Sequence, residues 1–514
     1  MPEEVWPKGL REAFRRYEAA LLADDVAVLD ELFAPGPDTI RGDAAGLLVG
    51  HERISAFRSA RGGVATRRIG RTELRPVGDD GVLVVAESWF DGGGRGLQTQ
   101  LWQRGPRADD GTAGPWRIAA AHVTGRPAAF DRSVWRVLGD PLVPGDPDPE
   151  APLAGVRVAV KDLFAVRGQV VGAGNPEYER TAPVASEHAT AVRTLLDAGG
   201  SVVGIARTDE FAYSIAGRNH HTGTPPNGAV PDRMPGGSTS GAAAAVAIGQ
   251  ADLALGTDTA GSVRVPASYQ GLWGLRTTHG AVSRDGLLPL AETFDTVGWL
   301  ARDVTTLRAA AAASLPPDAA VPVPGDGVLL VVEELLRSVE PATRDAFEAF
   351  TERTGTTVRT VVLPPLAELA ETVRVVQAAE AWRADGEWVA AHPDALGPDV
   401  AARFAAARVV TTADEDAARA RLADLRTAVR SVLAGGALCL PTVPGPAPFR
   451  TSDAAAVDRT RAATLRMTAV AGVAGAPAVS APVLTVAGAP VGVCLVGAPG
   501  SDLALLDLAA RLVG

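Results

Sequence analysis

Ser262 and Lys161 are the two side chains whose types and settings most suggest chemistry. Ser262 lies in Gly256-Thr-Asp-Thr-Ala-Gly-Ser-Val-Arg-Val-Pro266, and a second glycine-rich run, Gly236-Gly-Ser-Thr-Ser-Gly241, stands a short way upstream. A serine hydroxyl is a weak nucleophile unless a base takes its proton and donors hold the oxyanion that forms. Lys161, in Val160-Lys-Asp162, offers the base, and the consecutive backbone N–H groups leading into Ser262 offer the donors. A lysine serves as a base only when neutral, so its pKa must fall from ~10.4 toward 7–8 through burial and its neighbours. Together these residues read as a Ser-Ser-Lys hydrolase.

Competing chemistries fit less well. A glycine-rich run ahead of a helix over Ala242–Ile248 suggests a phosphate cradle, but no Gly-Lys-Ser/Thr follows and Gly-x-Gly-x-x-Gly spacing is absent. Read as a nucleophile elbow, the frame Gly237–Gly241 puts Thr239 rather than serine at its centre. His188, His220, His221 and His279 come with no partner motif for a Ser-His-Asp triad. No metal-ligand spacing is present either, so neither a metal nor a cofactor is expected. Asp258 and Arg264 read as residues that fix the loop, and Thr239 and Ser240 as groups that bond the turn or cap the next helix. Asn219, His220 and His221 are candidates for a substrate mouth, with ordinary loop structure the alternative.

The elements that must position these residues belong to a chain of 514 residues, long enough for two or three domains. Its 46% hydrophobic and 21% charged content is that of a soluble globular protein, and a net charge of −11 argues against nucleic acid as a partner. No apolar run approaches the ~20 residues of a membrane span, and Met1–Pro7 lacks the pattern of a signal peptide. Cys439 and Cys494 sit in apolar runs and read as inert core thiols, so a cytoplasmic location is expected. Arg53, Arg58, Arg61, Arg67, Arg68, Arg71 and Arg75 crowd one segment, which reads as a solvated face more readily than as an anion site.

The N-terminal region opens with a helical pattern in Leu10, Phe14, Tyr17, Leu21 and Leu22, followed by strand-like runs at Val82–Phe90, Gly96–Trp102 and Trp116–Val123. This is an α+β pattern. Prolines between Gly125 and Pro152 mark a linker, giving an N-terminal domain over 1–126, a linker over 127–152 and a second domain over 153–514. In the second domain short β-like and helical runs alternate, which predicts a mixed, largely parallel sheet wrapped by helices. Residues 316–434 read as helical, with no motif.

The two glycine-rich runs, with Gly271-Leu-Trp-Gly-Leu-Arg-Thr-Thr-His-Gly280, closely resemble the amidase signature family. Val158-Ala-Val-Lys-Asp162, Gly223-Thr-Pro-Pro-Asn227, Phe294-Asp-Thr-Val-Gly298, Pro441-Thr442 and the C-terminal Pro490-Val-Gly and Leu495–Gly500 pieces agree, so the resemblance covers roughly residues 150–514. It implies Ser262 as nucleophile, Ser238 as a bridging serine after a cis peptide, and Lys161 as base. It also implies an oxyanion hole from the backbone N–H groups of Thr259, Ala260, Gly261 and Ser262, with alanine at 260 where the family usually has glycine. The expected reaction is hydrolysis of the C–N bond of a carboxamide or urea-like small molecule through an acyl-enzyme. An amidotransferase-type subunit and a non-enzymatic amidase-like scaffold are the alternatives.

Thr39-Ile-Arg-Gly42, Gly50-His-Glu-Arg-Ile54, Phe57-Arg58 and Trp116–Val123 look like an AtzH-like domain of the NTF2-like superfamily, a cone-shaped α+β fold. Such folds often enclose a pocket, which Arg41, Arg58 and His122 are candidates to line; a purely stabilising or dimerising module is the alternative. A homodimer is the oligomer expected from symmetry alone.

Overall fold

The computed structural model describes residues 6–43, 46–61, 64, 66–90, 95–106, 113–124, 131–316 and 321–513. The chain divides into two compact units, Met1–Asp131 with Val230–Arg233, and Arg132–Ala229 with Met234–Gly514. In the first unit, the helix Leu10–Ala23 buries Leu10, Phe14, Tyr17 and Ala20, which recur on one face. That face packs on a six-stranded sheet of β1 (Ile40–Asp43), β2 (Gly46–Val49), β3 (Arg67–Pro76), β4 (Gly81–Phe90), β5 (Arg95–Arg104) and β6 (Trp116–Thr124). The spatial order is β2-β1-β6-β5-β4-β3, antiparallel except where β1 meets β6. Trp102 and Tyr17 meet edge to face at 6.3 Å in the core between helix and sheet. This is the α+β cone expected of the N-terminal domain.

The second unit is built on an eleven-stranded sheet. Its strands are β7 (Trp135–Val143), β8 (Arg157–Lys161), β9 (Ser201–Ala206), β10 (Leu253–Asp258), β11 (Trp273–Arg276), β12 (Thr296–Ala301), β13 (Leu329–Val331), β14 (Val358–Thr360), β15 (Ala437–Pro441), β16 (Ala478–Val486) and β17 (Ala489–Val496). They lie in the order β14-β13-β15-β17-β16-β11-β12-β10-β8-β9-β7, with helices packed about them. The sheet is mixed, but less parallel than the alternation of strands and helices suggested. Parallel pairs occur in two blocks, β10-β8-β9 and β14-β13-β15, and every pair from β15 across to β10 is antiparallel. The β16–β17 hairpin turns in two residues, which allows antiparallel return without a crossover helix.

The expected linker also needs correction. Its first residues, 127–130, lie outside the described residues, but Trp135–Val143 is a strand paired antiparallel with β9. Prolines misled because β7 is the last strand of the sheet, where Pro141 need not donate to a ladder. Residues 316–434 are helical as expected in Pro341–Arg353, Leu366–Ala391, Pro398–Arg408 and Thr412–Leu433, with the short strands β13 and β14 added.

One helix sets the position of the site. Ser240–Ala247 carries alanine at five positions and is buried on almost all sides, so it lies close against β8, β9 and β10. Closeness is enforced at Gly256 of β10, where an added Cβ would stand 2.5 Å from Thr239 Cγ2. Gly256→Ala should therefore push helix and strand apart and destabilise the protein by about 1–3 kcal/mol, as overpacking does. The measurement is the denaturation midpoint, and an unchanged midpoint would mean that this contact is not tight.

Candidate active site

Parallel β8 and β10 end side by side, and their carboxyl ends deliver the chemistry-bearing residues, where open sheets of this kind usually hold their ligands. Lys161 is the last residue of β8 and is fully buried. Its Nζ donates to Ser238 Oγ at 2.8 Å and to Thr257 Oγ1 at 2.7 Å. Burial pushes the Lys161 amine down from 10.5 to about 7, against the opposing pull of Asp209, Asp295 and Asp258, none of which forms an ion pair with it. A neutral amine held on a serine hydroxyl is a proton acceptor.

Ser238 follows a cis peptide after Gly237. Its carbonyl accepts from Thr208 Oγ1 at 2.9 Å and from the Asp209 N–H at 3.2 Å. A Cβ at Gly237 would run into the buried Asp209 carboxylate, so a larger residue there would have to displace it. The two glycine-rich segments are tied directly, the Thr239 N–H donating to the Ser262 carbonyl at 3.3 Å. Ser262 is itself buried, and its hydroxyl has no hydrogen-bond partner among the described residues.

The loop between β10 and the helix Arg264–Gln270 is organised by Asp258. Its Oδ1 accepts from the Gly261 N–H at 2.9 Å, from Arg264 Nη2 at 2.8 Å and from Arg276 Nη1 at 3.0 Å. Its Oδ2 accepts from Arg264 Nε at 3.0 Å and the Val263 N–H at 3.2 Å. Burial pushes this carboxyl up, but the two guanidiniums outweigh it and hold the group well below the usual carboxylate range. Gly261 takes a φ of +120°, in the region that favours glycine. Outside the loop, Thr259 Oγ1 donates to Asp295 at 2.6 Å, and Thr468 Oγ1 donates to the Ala260 carbonyl at 2.7 Å.

This geometry sorts the expected donors. The N–H groups of Thr259, Ala260 and Ser262 have no partner among the described residues, whereas that of Gly261 is already taken by Asp258. Gly261 is thus corrected from an oxyanion donor to the hinge of the turn. Asp258 and Arg264 fix the loop, as their positions suggested. Asn219 knits backbone by donating to the carbonyls of Gly174 and Thr208, and His221 bonds Glu210 at 2.7 Å. Thr257, Arg276, Asp295 and Thr468 were not singled out from sequence. Thr257, Arg276 and Asp295 had a signal in their places within the quoted motifs; Thr468 reaches the site only through the fold.

Beside the loop opens a cavity of about 400 Å³ whose wall includes Ala260, two residues from Ser262. In the first unit, Arg41 and Arg58 line a cavity of only about 30 Å³ together with Arg67. His122 is exposed and does not line it. Arg41 pairs with Asp43 at 2.8 Å and Arg67 with Glu18 at 3.0 Å, so their charge is spent within the domain. Both free cysteines are buried, and burial raises their thiol pKa values, that of Cys494 to about 11.

A buried lysine with its pKa lowered to about 7, bonded to a serine beside a loop with unsatisfied N–H groups, is an arrangement suited to activating a hydroxyl. Comparison makes the class specific. The Amidase family model matches residues 145–323 and 328–506, and an AtzH-like model matches residues 5–127. The chain is 38% identical to Amidase 1 of Arabidopsis thaliana over 392 residues, covering 69% of this chain and 92% of that protein. Among solved structures, an amidase superposes with a TM-score of 0.65 at 31% identity, covering 74% of this chain and 92% of that one. An allophanate hydrolase of Kluyveromyces lactis superposes with a TM-score of 0.66 at 27% identity, covering 76% and 68%. The chain belongs to the Amidase family, hydrolases of carbon–nitrogen bonds, and carries an AtzH-like N-terminal domain.

The buried lysine makes a prediction about stability. Below pH 7 Lys161 is protonated whether the chain is folded or not, and its burial destabilises fully; between about 7 and 10.5 the unfolded chain binds more protons, so stability rises with pH. Lys161→Met should then raise the unfolding free energy by about 1–3 kcal/mol at pH 7. That gain should shrink as the pH approaches 10. Chemical denaturation at several pH values checks it, and a constant difference across the range would contradict a depressed lysine.

Proposed function

We propose that the protein hydrolyses a carboxamide or urea-like small molecule through an acyl-enzyme on Ser262, with Ser238 and Lys161 completing the triad. The observation that carries this reading is the 2.8 Å bond from the buried Lys161 Nζ to Ser238 Oγ, beside the loop that bears Ser262. The relatives described as amidases and as an allophanate hydrolase support the range from amides to urea-like compounds.

In the proposed sequence neutral Lys161 takes the proton of Ser238, and Ser238 takes the proton of Ser262 as its Oγ attacks the substrate carbonyl carbon. The carbonyl oxygen becomes an oxyanion facing the free N–H groups of Thr259, Ala260 and Ser262, each such donor being worth roughly 2.7–4 kcal/mol at a transition state. The C–N bond breaks as the proton returns through Ser238 to the leaving nitrogen, releasing ammonia or an amine. Water then attacks the acyl ester by the same relay and frees the acid. Nothing in this route calls for a cofactor. Two buried, unpaired thiols favour a reducing compartment, and on that basis we assign the protein to the cytoplasm.

Peptide mapping after exposure to a small fluorophosphonate tests the triad. An adduct should form on Ser262, vanish in Ser262→Ala, and form on the order of 10³-fold more slowly in Lys161→Ala. In the wild type its rate should rise with pH through about 7, as Lys161 loses its proton. A folded wild type that gives no adduct, or one that labels elsewhere, would refute this assignment.

A further inference from the structure

The cavity beside Ala260 has an uneven electrostatic lining. Arg374, Arg403, Arg461 and Arg466 contribute to its wall, and Glu371 is the acidic residue among them. Glu371 is already engaged, pairing with Arg374 at 2.6 Å. Arg403 spends one arm on the Tyr213 carbonyl at 2.7 Å, and Arg466 is exposed to water.

Arg461 is different. Its Nε is buried with no hydrogen-bond partner, and it makes no ion pair among the described residues. Burial, together with repulsion from Arg403, pushes its guanidinium down to about 10; Asp458 and Asp399 act in the opposite sense from beyond pairing distance. A charged group left this way is costly, and a charged partner would recover that cost. The remaining wall, including Val373, Leu465 and several alanines, has no charge and suits a hydrocarbon chain.

The geometry points to a substrate that carries a carboxylate at the end remote from the scissile amide, received by the fork of Arg461 with Arg403 beside it. This rests on the amidase reading of the Ser262 site and adds to it the class of substrate. The fork of a guanidinium matches two carboxylate oxygens, which fixes orientation as well as charge. The helix Ala454–Ala474 sets the span. Thr468 bonds the Ala260 carbonyl, and Arg461 lies seven residues back along the helix, about 10 Å away at ~1.5 Å per residue. The substrate is thus a monoamide of a dicarboxylic acid, or an equivalent urea-like acid, with a spacer between its two ends.

The test uses matched pairs of equal length, succinamate with butanamide, adipamate with hexanamide and suberamate with octanamide. At least one carboxylated member should exceed its neutral partner by roughly 30-fold or more in kcat/KM, the scale of a lost buried charge pair. In Arg461→Gln that ratio should collapse toward one, chiefly through KM, while Arg461→Lys, which keeps the charge and loses the fork, should fall between. Neutral partners that match or surpass the acids throughout, or a preference that survives Arg461→Gln, would overturn the inference.

Fluorophosphonate labelling of Ser262 in each variant reports whether the nucleophile is still assembled. Calorimetric binding of the same pairs to Ser262→Ala separates the two claims. Selective binding of an acid that is lost on adding Arg461→Gln would uphold the anion site even if no amide is turned over. Absence of selective binding would sink it even if Ser262 is labelled.

Discussion

Two guanidiniums, those of Arg264 and Arg276, are buried around one carboxylate, Asp258, with almost no access to water. Such a cluster is stable only while complete, since removing one member leaves a buried charge unpaired at a cost of several kcal/mol. Its members come from different elements: Asp258 ends β10, Arg264 opens the following helix and Arg276 ends β11. Arg276 also holds the Phe294 carbonyl at 3.0 Å, and Thr296 donates to the Asp258 carbonyl. The loop that carries Ser262 is thereby bound to three strands at once. Its free N–H groups are aimed because Gly261 and Val263 have theirs tied to the carboxylate.

Lys161 depends on the same arrangement from the opposite direction. Asp258 lies near enough to draw the lysine toward its charged form, but its own charge is consumed by the arginines. The lysine therefore faces hydroxyls, those of Ser238 and Thr257, instead of a counter-ion. Burying an amine in this way costs folding free energy and brings its pKa down to about 7.

Sequence made the local parts of this site readable and left the distant ones hidden. Lys161, Ser238 and Ser262 sit in segments whose glycines are required by close approach, as at Gly237 and Gly256, so the motif is itself a trace of packing. Thr468 acts across the fold from ordinary-looking surroundings that no local spacing marks, and Arg276 and Asp295, though inside quoted motifs, meet Asp258 and Thr259 only through the fold. Arg461 is likewise one arginine among several on an alanine-rich helix; only the cavity distinguishes it. In the N-terminal domain the arginine-rich segment was legible as charge, and the pairs of Arg71 and Arg75 with Glu73 lie within one strand, yet the pairing of Arg67 with Glu18 depends on which strand faces which helix. His122, a pocket candidate from the fold resemblance, is exposed on β6 and lies outside the cavity lining.

The strand β7 changes where this protein can be divided. It closes the β9 edge of the catalytic sheet although it lies in a segment whose prolines mark a connector. A catalytic fragment begun at residue 153 would leave β9 with a row of unpaired N–H and C=O groups, a template for sheet extension by a second chain. A fragment begun at Arg132 would keep β7, whose own outer edge is interrupted by Pro141 and poorly suited to recruiting a further strand. The strand β7 thus belongs to the catalytic unit, although the prolines of its segment read as a connector.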